Sequence, residues 1–93
     1  MTQVTVYSRP ECHLCAGAVE KLIALHEEGF RFELHEVDIE SEELLLKRLL
    51  ERIPVVEIGG EVVSELVLDA AAVRARLDAL GASGHRASPG SSS

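Results

Sequence analysis

Apolar residues alternate with polar ones at the start of this chain, then recur at helical spacing, and the pattern switches back and forth until a Ser- and Gly-rich end. Gln3-Val4-Thr5-Val6-Tyr7 alternates, is rich in β-branched residues and stops at Ser8-Arg9-Pro10, which predicts a first strand. From His13 to Glu28, steps of about 100° place Leu14, Cys15, Ala18, Val19, Leu22, Ile23 and Leu25 on one face. His13, Gly17, Glu20, Lys21, Glu27 and Glu28 fall on the other, so an amphipathic helix is expected, closed by Gly29.

Phe30 to Ile39 reads as a second strand whose alternation slips once near His35-Glu36. Glu40, Glu42 and Glu43, followed by Lys47, Arg48 and Arg52, suit the two ends of a second helix. Its apolar face is Leu45, Leu46, Leu49, Leu50 and Ile53, with Leu44 standing off that arc. Beyond Pro54, Val55-Val56-Glu57-Ile58 and Glu61-Val62-Val63 flank Gly59-Gly60, a two-residue hairpin signal. Asp69 can cap a third helix whose inward stripe is Ala70, Val73, Leu77 and Leu80, ending at Gly81. The order is therefore β-α-β-α-β-β-α, an α/β fold. A strand, helix and strand imply a parallel pair, and the hairpin adds antiparallel strands to make a four-stranded mixed sheet flanked by helices. One domain over 1–81 is expected, followed by a disordered Ser/Gly-rich tail over 82–93.

Charge narrows the partners. A formal net charge of −7 opposes binding to nucleic acid or an anionic membrane, since such binding rests on Lys and Arg neutralising phosphates. No apolar run approaches the roughly 18–20 residues that a membrane span needs, and the N-terminus does not read as a targeting segment. A soluble, cytoplasmic monomer is expected.

The chain's two cysteines sit together in Arg9-Pro10-Glu11-Cys12-His13-Leu14-Cys15. So short a loop constrains the unfolded chain little, which argues against a purely structural disulfide. Between a strand and a helix, Cys12 falls at the helix mouth, where backbone N–H groups and the dipole favour a thiolate. Cys15 falls one turn further in, on the buried face. This asymmetry suits one attacking and one resolving thiol in thiol–disulfide exchange. Arg9, and His13 when protonated, favour the thiolate, whereas Glu11 opposes it. Two other readings stand beside this one. The cysteines could be small apolar fillers, or half of a zinc or iron–sulfur site shared between two chains. No second Cys pair is present, and His13, His26, His35 and His85 show no ligand spacing, so no metal is expected within one chain.

With "VTVYSRPECHLC" and "RIPVVEIGGEVV", the sequence resembles the glutaredoxin branch of the thioredoxin-like family over about residues 3 to 80. The resemblance implies a thioredoxin-like fold, with Cys12 as nucleophile, Cys15 as resolving thiol and Pro54 as a cis-proline facing them. Ile53 would offer its backbone to an extended substrate strand. Arg9 and His13 join Ile53 and Pro54 as candidate substrate-binding residues. Members that use glutathione carry a Gly-Gly-x-Asp stretch where this chain has Ser64-Glu65-Leu66-Val67-Leu68-Asp69, and Glu65 there would repel a glutathione carboxylate. The expected activity is thiol–disulfide oxidoreduction. The redox-active pair would need no other cofactor, glutathione is a disfavoured but open choice of reductant, and the partners would be a disulfide-containing protein or small thiol and a thiol reductant or reductase. The alternative is a non-enzymatic module of the same fold that binds a partner, or a metal or iron–sulfur cluster shared between two chains.

Overall fold

The computed structural model describes residues 2–82. The expected tail falls outside the described residues apart from Ala82, which is buried in the core and accepts a hydrogen bond from the Arg31 backbone. Four strands, β1 (Gln3–Ser8), β2 (Glu33–Asp38), β3 (Val55–Ile58) and β4 (Glu61–Glu65), form one sheet in the order β2-β1-β3-β4. Three helices accompany them: α1 (His13–Glu27), α2 (Glu43–Leu49) and α3 (Ala70–Ala79). β1 runs parallel to β2 and antiparallel to β3, and β3 pairs antiparallel with β4 across the Gly59-Gly60 turn. This is the mixed four-stranded architecture that the periodicity implies, and it is a thioredoxin-like α/β fold.

Alternation along the strands divides the core. Val4, Val6, Val56 and Ile58 pack with Ala18, Leu22 and Leu25 of α1 and Val73 and Leu77 of α3. On the other face, Val55 and Tyr7 meet Leu45, Leu46 and Leu49 of α2, together with Ile39, Ile53 and both cysteines. Cys15 therefore belongs to the smaller cluster, beneath the site. No helix among the described residues is long and apolar enough to cross a membrane.

Several expectations need correction. Leu14 and Ile23 are 51% and 46% exposed, because the buried stripe of α1 is narrower than its apolar half and runs through Cys15, Ala18, Leu22 and Leu25. β2 begins at Glu33 rather than Phe30, and its pairing with β1 is continuous from Gln3↔Glu33 to Ser8↔Asp38. The slip in its alternation is thus no bulge: Leu34 and Val37 point to opposite faces, and each is half-buried on this edge strand. A short 3₁₀ helix at Ile39–Ser41 precedes α2, with Asp38 capping it through Glu40 N–H. Leu50 lies just past α2 and is exposed, while Ile53 leaves the helix and turns inward. Leu80 is 41% exposed beyond α3, against the Gly59 turn.

Candidate active site around Cys12 and Cys15

β1 ends at Ser8, and the turn Arg9-Pro10-Glu11 delivers Cys12 to the N-cap of α1. Glu11 adopts φ 61°, in the left-handed region that residues with a Cβ seldom occupy. Cys12 then returns to extended backbone, and its sulfur accepts the Cys15 N–H at 3.2 Å, so the sulfur itself fills the capping role usually taken by Ser, Thr or Asp. The two cysteines form a disulfide with Cα atoms 5.2 Å apart. Cys12 is half-buried, whereas Cys15 is 3% exposed and packed among Ile39, Leu49, Ile53 and Val55. On reduction, the accessible sulfur sits on the positive end of a helix and the other in apolar surroundings that disfavour charge. The arrangement can therefore present one thiolate to a substrate and hold one neutral thiol in reserve.

A cavity of about 270 Å³ opens beside the pair, lined by Arg9, Glu11, His13 and Glu36 as well as by the cysteines. Arg9 and His13 are thus brought to the site. The Arg9 guanidinium, however, donates to Glu40 at 2.6 Å, so its charge is already matched and its pull on Cys12 is weaker than the sequence alone implies. Ile53 and Pro54 are both buried, Ile53 contributes to the cluster around Cys15, and their peptide bond is cis, as the resemblance implies. The Ile53 N–H is taken by the Leu49 carbonyl at 3.1 Å, which leaves its carbonyl as the backbone group to offer.

The residues after β4 are engaged within the fold. Glu65 pairs with Arg52, which holds the Glu65 carboxyl below the usual carboxylate range; its repulsion of an incoming carboxylate is thereby offset. Asp69 caps α3 by accepting the Ala72 N–H at 3.1 Å, and buried Ser64 accepts the Asp69 N–H at 3.0 Å. Glu36 was not singled out by the sequence reading. Its signal is the β1/β2 register, which sets it beside Val6 on the α1 side, near the end of the strand. Among the described residues no group of three or more His, Cys, Asp or Glu side chains is placed to hold a metal ion.

The model of the glutaredoxin-like domain (DUF836) matches residues 3–78. The chain belongs to this glutaredoxin-like family. Among solved structures it is similar to the structural-genomics target protein XcR50 from X. campestris, with 35% identity, 82% of this chain and 96% of that chain covered, and a TM-score of 0.66. It is also similar to protein Ne2328 from Nitrosomonas europaea, with 27% identity, 81% and 89% covered, and a TM-score of 0.72. Chloroplastic thioredoxin z shares the fold, with 18% identity, 88% and 80% covered, and a TM-score of 0.68. No curated protein matches the sequence. A glutaredoxin-like fold carrying a C-x-x-C pair supports a redox-type function for the family member described here.

Proposed function

We propose that this protein is a thiol–disulfide oxidoreductase that works by dithiol exchange. The observation that carries the reading is the asymmetry of the pair: Cys12 caps α1 with its sulfur at the cavity, and Cys15 lies one turn further in, 3% exposed. The Cys12 thiolate attacks one sulfur of a substrate disulfide, forming a mixed disulfide and releasing the other sulfur as a thiolate that takes a proton from water. Cys15 then loses its proton and attacks the Cys12 sulfur, which releases the second substrate thiol and leaves the Cys12–Cys15 disulfide. The two electrons lost by the pair are gained by the substrate. A small thiol or a reductase returns the pair to the dithiol, and the cysteines need no bound cofactor to carry the electrons. We place the protein in the cytoplasm, where a reducing poise favours that return.

In this scheme His13 and Arg9 flank the attacked sulfur, and the Ile53 carbonyl meets an extended substrate segment beside Pro54. The test is a pair of substitutions assayed on a peptide disulfide. Cys15→Ser is expected to accumulate a mixed disulfide through Cys12, visible as the added mass of one peptide half, and Cys12→Ser to lose reduction and trapping together. Full activity in Cys12→Ser would overturn the mechanism.

A further inference from the structure

Charge is unevenly placed around the reacting sulfur. Glu11 precedes Cys12, and Glu36 reaches the same cavity from β2; both are exposed, and neither takes part in an ion pair among the described residues. Among the described residues Arg9 is the one Arg or Lys lining that cavity, and its guanidinium is on Glu40 at 2.6 Å. Among the described residues, the cavity at Cys12 thus holds two unmatched carboxylates and no unmatched guanidinium or ammonium. The chain's net charge of −7 acts in the same direction at longer range.

Resting on the exchange reading above, we propose that the substrate is a protein or peptide disulfide flanked by Lys or Arg side chains, with Glu11 and Glu36 as the specificity residues that receive them. Small anionic disulfides such as oxidised glutathione, with two carboxylates on each half, meet the same two groups as repulsion. Glu11 and Glu36 are hydrated, so their effect is on encounter and orientation more than on tight binding, and it weakens as salt rises. The chemistry is unchanged: Cys12 attacks, one substrate thiol leaves, Cys15 resolves, and a dithiol reductant such as dithiothreitol restores the pair.

The test uses full-length protein reduced with dithiothreitol and then freed of it. Rates of reduction are measured for two peptide disulfides of equal length, one flanked by lysines and one by glutamates. The lysine peptide is expected to react about tenfold faster at low ionic strength, with the preference collapsing in about 1 M salt. Glu11→Gln/Glu36→Gln is expected to lose most of that preference. Glu27→Gln/Asp78→Asn makes the same change in net charge far from the site, Glu27 at the C-terminal end of α1 and Asp78 near the Gly59 end of the sheet, and is expected to keep the preference. Equal rates with the two peptides, a preference that survives the first double variant, or one lost equally in the second overturns the inference while leaving exchange intact. Failure to reduce either peptide overturns the exchange reading itself.

Discussion

At the scale of single residues, the contrast between Cys12 and Cys15 was legible because a helix start determines which positions face its mouth and which face its core. Glu36 was not legible, since only the pairing of β2 with β1 brings it to the cavity that the cysteines line. The pairing of Arg9 with Glu40 was equally hidden, because it joins residues on separate elements. Tyr7 likewise makes a bond to a distant segment: its hydroxyl donates to Glu57 at 3.1 Å on the α2 side of the sheet. Burial, and then Glu57 through its hydrogen bond and charge, raise the Tyr7 phenol above its ordinary value. A proton held more tightly in the folded chain contributes stability that is intact below the ordinary tyrosine value of about 10 and is lost as pH rises through the folded value. Tyr7→Phe should therefore show a shallower alkaline decline in urea midpoint than wild type, and an identical decline would remove Tyr7 from this role. Ser64 gives a second check. Ser64→Ala leaves the Asp69 N–H without its partner and is expected to cost about 1 kcal/mol in urea unfolding.

Elements were read well where one face is buried and less well where burial is shared. α1 and α3 declared themselves by a stripe and a cap, but amphipathic halves overstate what packs, which is why Leu14, Ile23 and Leu80 turned out exposed. The β2 boundary and the 3₁₀ turn at Ile39–Ser41 escaped because an edge strand half-buried on both faces lacks a clean period. Leu22 is the point where α1 is anchored, being fully buried between helix and sheet. Leu22→Ala is expected to destabilise the protein by about 2–5 kcal/mol, the range for a Leu-sized core deletion. Ile23→Ala, one position along, should change unfolding little, and equal losses for the two would contradict the assigned face of α1.

For the whole molecule, the order of elements and the mixed sheet followed from short-range pattern, whereas the ties between distant segments did not. Arg74 of α3 pairs with Glu28 at the end of α1 at 2.8 Å, and Arg52 pairs with Glu65 across the loop before β3. Each arginine donates a hydrogen bond to its carboxylate and holds that carboxyl below the usual range. Such depressed groups contribute stability that is present above the ordinary carboxylate value of about 4.3 and is lost as pH falls through the folded value. Both pairs are exposed to solvent, so the effect is small and screened by salt. Glu28→Gln should accordingly flatten the acid limb of the stability curve slightly, and only at low ionic strength.

The central claim is that Cys12 and Cys15 form a reversible two-electron couple. The most direct test equilibrates the protein against graded mixtures of reduced and oxidised glutathione, quenches with an alkylating reagent, and weighs the products. Two populations are expected, a doubly alkylated dithiol and an unalkylated intramolecular disulfide, exchanging with a single midpoint that is the same from either direction. If the disulfide never forms, or if Cys12 and Cys15 oxidise only separately as glutathione adducts, exchange through this pair is contradicted.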